Sequence, residues 1–243
     1  ATATTTAGVD GAPGAQATVD NDMVAAVGVT SITSGTTLSM AAAASSTQTA
    51  NASNVGTSGN TDNNATATVA DSDGISGIYY TDITAGSNTT AFNASASLTG
   101  SATANTTFGD ATAESGITSA VAGLTTASAD KLQIGQDAVG GLNLSATTNL
   151  SALANTVWED ADAVVGRRTG NTTATSIGND QVDITVGRDA GTILATSTNT
   201  LTATAATIGS AASGADSSSA QINQTAVGTE DAAIVIGNDG NLI

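Results

Sequence analysis

The stretch from Phe92 to Phe108, FNASASLTGSATANTTF, limits the fold more than any other part of the chain. Phe92, Ala94, Ala96 and Leu98 alternate with polar residues. So do Ala102, Ala104, Thr106 and Phe108, with Gly100 between the two runs. Alternation with period two is the mark of a strand, because successive Cβ atoms point to opposite faces. A glycine between two such runs reads as the tight turn of a hairpin. The same period appears in Ile75 to Ile83, in Val182-Ile184-Val186 and in Leu201-Ala203-Ala205. Threonine is abundant throughout, and its branched Cβ suits a pleated sheet. These signals predict an all-β fold, mainly an antiparallel sandwich or meander of jelly-roll type.

One segment departs from this period. In NLSALANTVWEDADAVVG, Leu150, Leu153, Ala154, Val157, Trp158, Ala161, Val164 and Val165 recur at helical spacing. Asn149 suits a helix start and Gly166 a helix end. Arg167 and Arg168 would then sit at the negative pole of the dipole. The spacing predicts one short amphipathic helix, with Trp158 packed in the core.

The inward face of these strands is mostly alanine, which is thin material for a core. Leu, Ile, Val and Phe make up less than roughly a fifth of the chain, a level at which burial barely offsets chain entropy. Aromatic residues are 2% and the net charge is -17. Such a chain is expected to be completed by other copies of itself. Small side chains let a neighbouring strand approach closely, so that backbone bonds and many weak contacts replace a bulky core. The Thr/Ala-rich start, broken at Gly11-Ala12-Pro13-Gly14, reads as an extended arm over residues 1–19. A β-rich domain over 20–243 follows. The candidate polymerisation residues are Ala1, Thr2, Ala3, Thr4, Thr5, Thr6, Ala17 and Val19.

A short motif recurs in the second half: a β-branched residue, glycine, any residue, then an acid. It appears as IGQD at 134–137, IGND at 177–180, VGRD at 186–189, VGTE at 227–230 and IGND at 236–239. Each copy reads as a strand end, a glycine and a carboxylate that can bond the turn's backbone. The irregular spacing favours repeated turns of a meander over a regular β-helix.

Composition excludes several chemistries. There is no cysteine and no histidine. Zinc, haem and thiolate centres and His-dependent nucleophilic catalysis therefore lack their residues. The basic residues are Lys131, Arg167, Arg168 and Arg188 alone, which argues against nucleic acid as a partner. With few aromatics to line a cleft and no phosphate-binding glycine motif, the chain does not read as an enzyme. No apolar run is long enough for a membrane span. Ala1 in place of methionine points to a removed leader. The candidate calcium ligands are Asp71 and Asp73 of DSDG, with Asp62 and Asp82 nearby; the set Asp10, Asp20 and Asp22 and the turn Gly237 to Gly240 are further candidates. Nothing else suggests a cofactor. Sequons fall at Asn51, Asn64, Asn88, Asn93, Asn105, Asn143, Asn149, Asn171 and Asn223, each a candidate glycosylation site. Thr-X-Thr runs at Thr2-Ala3-Thr4, Thr66-Ala67-Thr68 and Thr202-Ala203-Thr204 raise ice binding as a third expectation, but their irregular spacing argues against a flat, lattice-matched array.

The tail AQINQTAVGTEDAAIVIGNDGNLI resembles the repeats of curlins, bacterial amyloid fibre subunits, through Gln221, Asn223, Gln224, Gly228, Ile234, Gly237, Asn238 and Asn241. KLQIG at 131–135 is similar to a short stretch of flagellins. The small-residue, Thr-rich, acidic make-up resembles secreted β-rich pilins and matrix fibre subunits. That resemblance implies an extracellular, cell-surface filament subunit whose partners are other copies of itself, joined by donated β-strands, with surface glycans as a further partner. The alternative expectation is a calcium-stabilised adhesin or surface-layer domain.

Overall fold

The computed structural model describes residues 2–7, 14–21, 24–55, 63–71, 74–86, 88–116, 121–126, 131–135, 137–138, 140–166, 174–188, 191–209, 217–223, 225–230 and 232–237. Its strands fall into five successive coils. The first holds β1 (Thr2–Ala7), β2 (Ala15–Asn21) and β3 (Val24–Ser34). The second holds β4 (Thr37–Asn54), β5 (Ala65–Asp71) and β6 (Ile75–Ala85). The third holds β7 (Asn88–Thr106), β8 (Ala111–Ser115), β9 (Val121–Thr126) and β10 (Lys131–Ile134). The fourth holds β11 (Leu142–Thr156), β12 (Ala161–Gly166), β13 (Ala174–Asp180) and β14 (Asp183–Val186). The fifth holds β15 (Ile193–Thr207), β16 (Ser218–Asn223), β17 (Thr225–Glu230) and β18 (Ile234–Ile236).

Each strand pairs in parallel with its counterpart one coil on. Phe92 lies beside Leu142, and Leu142 beside Ile193. Likewise Ala111 lies beside Ala161 and Ala161 beside Ser218. The result is three sheets: a long sheet β1-β4-β7-β11-β15, a short sheet β2-β5-β8-β12-β16, and an eight-stranded split sheet built from β3, β6, β9, β13, β17, β10, β14 and β18. The chain is a parallel β-solenoid with coils of about 50 residues. The long sheet is one wall, and the short and split sheets together form the other.

This corrects the expected antiparallel sandwich, and the reason is visible at Gly100. The residue is not a turn: β7 runs straight through it. Phe92, Ala94, Ala96, Leu98, Ala102 and Ala104 are all buried on one face. A Cβ at Gly100 would lie 2.8 Å from Leu150 Cδ2 and 2.9 Å from Ser115 Oγ. The neighbours fill the space that a side chain there would need. The expected helix is also absent. Its residues form the end of β11, a turn and β12. The alternation Leu150, Ala152, Ala154, Thr156 points inward, while Leu153 is half-buried on the outer face. That outward leucine completes the false helical pattern. The described residues contain no helix.

Two apolar clusters lie between the walls. Where the long sheet meets the short sheet, seventeen of the twenty-four members are alanine, with Val19, Val69, Leu98, Leu150 and Val165 among the rest. Where it meets the split sheet, eleven of fifteen are larger, among them Phe92, Leu144, Ile78, Leu124 and Ile184.

Glycine ladders hold the second region close. The strand pairings place Gly77, Gly123, Gly178 and Gly228 beside one another across the split sheet. A Cβ at Gly123 would lie 2.6 Å from the Ser145 nitrogen of the long sheet, and one at Gly178 2.6 Å from that of Thr196. Only glycine allows the two walls this approach. A second ladder turns the chain back into the long sheet. The N–H groups of Gly86, Gly135, Gly187 and Gly237 each donate to a carbonyl of the preceding coil: Ser34, Ala85, Ile134 and Val186. The recurring Gly-X-acid motif thus serves two different positions in the coil.

Candidate functional site

No cleft collects chemical groups in the described residues, so the functional surface has to be sought in the walls and corners. At the corner from the long to the short sheet, side chains step from coil to coil. Thr106 Oγ1 donates to the Asn63 carbonyl at 2.7 Å, Thr156 Oγ1 to that of Gly109 at 2.9 Å, and Thr207 Oγ1 to that of Glu159 at 3.0 Å. The Asp110 N–H donates to Asn64 Oδ1 at 2.8 Å, the Asp160 N–H to Asp110 Oδ1 at 3.4 Å, and the Ser217 N–H to Asp160 Oδ1 at 2.7 Å. The acids at this corner cap backbone donors. At the opposite corner Asn88 Oδ1 accepts from the Asp137 N–H at 3.3 Å, and Arg188 forms a two-pronged ion pair with the Asp137 carboxylate.

The outer face of the long sheet is a broad, mostly polar surface. Its outward residues stand in ranks across the coils. One rank is Ser45, Ser97, Thr147 and Thr198, the next Thr47, Thr99, Asn149 and Thr200, the next Thr49, Ser101, Ser151 and Thr202. All twenty-one acids and all four basic residues of the chain lie outside β1, β4, β7, β11 and β15. A protein of net charge -17 therefore carries one wall with no formal charge on its strands.

No family model, curated protein or solved structure matches this chain. Its function has to be argued from geometry.

The residues singled out in the sequence fall as follows. Thr2, Ala3, Thr4, Thr5 and Thr6 lie in β1, paired with β4 of the same chain. Ala17 and Val19 lie in β2, paired with β5 and buried at 2% and 5% exposure. The described residues of the arm thus belong to the first coil of the solenoid of the same chain; Ala1 lies outside the described residues. Asp71 ends β5 and Asp82 is an exposed residue within β6. Asp62, Asp73, Asp10, Asp22 and Asp239 lie outside the described residues. Among the described residues no three acids come together in a metal-binding group.

Of the sequons, Asn51, Asn93, Asn105, Asn143 and Asn149 stand on the outer face of the long sheet. Asn64 and Asn88 hold corner N–H groups, Asn223 ends β16, and Asn171 lies outside the described residues. Alternation explains this abundance. A face built of Asn, Ser and Thr at every second position spells Asn-X-Ser/Thr as a matter of course. Trp158 is not in the core. It is 38% exposed at the first corner, its ring 3.0 Å from where a Cβ on Gly209 would stand. No helix among the described residues is long and apolar enough to cross a membrane.

The uncharged wall was missed in the sequence because charge was counted over the whole chain. Counting it strand by strand would have exposed the segregation.

Proposed function

We propose that this chain is a structural subunit of an extracellular filament in which copies add coil upon coil. The supporting observation is the last coil. Among the described residues each of its strands, β15, β16, β17 and β18, ends a row of paired strands and pairs on one side only. Five of the seven exposed large apolar side chains among the described residues belong to it: Leu194, Ile208, Ile222, Ile234 and Val235. Unpaired strand edges are templates for further strands, and β1 and β2 of the first coil end their sheets in the same way.

Joining the last coil of one copy to the first coil of the next is a heterologous contact. It does not close, so it propagates. Strand pairing remains the bond between copies, as in strand donation, but the paired unit is a whole coil edge. The acidic charge keeps laterally adjacent rods apart. A chain with four basic residues and few aromatics also offers common proteases few sites, which suits an extracellular setting.

The test is negative-stain microscopy with light scattering across a concentration series. Filaments whose width is that of one solenoid are expected. The paired change Ile222→Lys and Val235→Lys should leave the circular-dichroism spectrum unchanged and abolish them. A monomer at every concentration would overturn the reading.

A further inference from the structure

Only the edges of β1 and β15 enter end-to-end stacking, so the outward face of the uncharged wall is left free, and its composition narrows what it can meet. Protein interfaces are enriched in aromatic residues, Met and Arg at their centre; the described outward positions of β7, β11 and β15 hold none. Nucleic acid needs cations. A membrane surface needs a basic or strongly apolar face. A sugar cleft needs ring-stacking side chains. Apart from Leu153 and Leu194, what the wall offers is mainly hydroxyl and amide groups in a fixed grid.

The grid is regular. β11 pairs with β15 without a register shift from Leu142–Ile193 to Thr156–Thr207, and with β7 without one from Leu142–Phe92 to Asn155–Asn105. Ranks therefore repeat at about 4.8 Å across the strands and about 6.7 Å along them. β15 presents five exposed threonines at alternate positions, Thr196, Thr198, Thr200, Thr202 and Thr204. Threonine is stiff at χ1, so its hydroxyl and methyl are already placed before any ligand arrives. Between two ranks runs a trough of about 180 Å³, with Thr99, Asn149 and Thr200 on one side and Ser101, Ser151 and Thr202 on the other. Gly100 and Leu150 form its floor. Its volume is enough for several water molecules.

We propose that the outer face of the long sheet is an ice-binding surface. Its ligand is a layer of water molecules held in an ice-like array by the Thr, Ser and Asn ranks, with a file of them in the trough. The oxygen lattice of ice has repeats of similar size to this grid in both directions. It is neutral and it is periodic. A wall free of charge is also free of the strongly hydrated groups that would hold water in a liquid-like arrangement.

The experiment is nanolitre osmometry and ice-recrystallisation assay on the unglycosylated chain. A gap between freezing and melting points and faceted crystals are expected. Thr202→Lys and Ser151→Lys, both beside the trough, should each lose most of that gap. Thr112→Lys, on the short sheet, should keep it, with circular dichroism confirming the fold of all three. No gap and no inhibition of recrystallisation at millimolar protein would overturn the proposal. So would equal activity in the two trough variants. Face-to-face dimers by sedimentation, weakened by Thr202→Lys, with no effect on ice would assign the wall to a second copy and overturn it as well.

Discussion

The two halves of one long strand show two ways to hold a solenoid together. At its start β11 places Leu142 and Leu144 against Ile184, Leu124 and other large side chains of the split sheet. Farther on it places Ala146, Ala152 and Ala154 against Ala111, Ala113, Ala161 and Ala163 of the short sheet. Buried methylenes contribute about 0.8 kcal/mol each, so the first half draws far more from apolar burial. The second half lies beside the corner where Thr106, Thr156, Asn64, Asp110 and Asp160 form their hydrogen-bond ladder. Alanine suffices there because the walls come close and the backbone ladder and corner bonds supply what bulk does not. The thin face seen in the sequence is the face of only one of two cores.

The sharpest way to break this contrast is to remove bulk from the first half. Phe92, fully buried, should cost about 3–5 kcal/mol when changed to Ala, read from the urea midpoint. Adding bulk to the second half is the converse. Ala152→Leu should cost about 1–3 kcal/mol through overpacking, and Leu144→Ala in the same strand should fail by cavity instead. Calorimetry of the two variants together should give nearly additive losses, since the clusters share no members. A smaller effect belongs to the corner. Thr156→Val keeps the shape but removes the bond to the Gly109 carbonyl, and should cost about 1 kcal/mol, with faster hydrogen exchange at Ala161 and its neighbours. Smallest of all, Thr202→Ala on the outer wall should change stability by no more than about 0.5 kcal/mol in the same urea titration.

The strands were legible in the sequence because period two survives any choice of partner. Their direction was not, because Gly100 serves a crowded core and a turn equally well on paper. The alternation itself held the clue. Leu98, Gly100 and Ala102 keep one phase, so the same face continues through the glycine. The solenoid period was present but doubled. IGQD at 134, VGRD at 186 and IGND at 236 mark one corner, while IGND at 177 and VGTE at 227 mark the glycine ladder within the split sheet. Read as one series they look irregular; read as two, each steps by about 50 residues. The helix expectation failed where Leu153 faces outward, since one apolar residue on the polar side turns period two into an imitation of 3.6. Of the surfaces, the acidic turns were visible as residues, but their role as caps on the next coil needs the coil to exist.

The solenoid requires β7 to be one uninterrupted strand in a stack of parallel coils. The most direct measurement is the distance between spin labels on Asn93→Cys and Asn105→Cys, both on the outer face of β7 in a chain with no other cysteine. Twelve residues of continuous strand set them about 40 Å apart. A hairpin closing at Gly100 would bring them within about 10 Å of each other, and a distance in that range would contradict the solenoid.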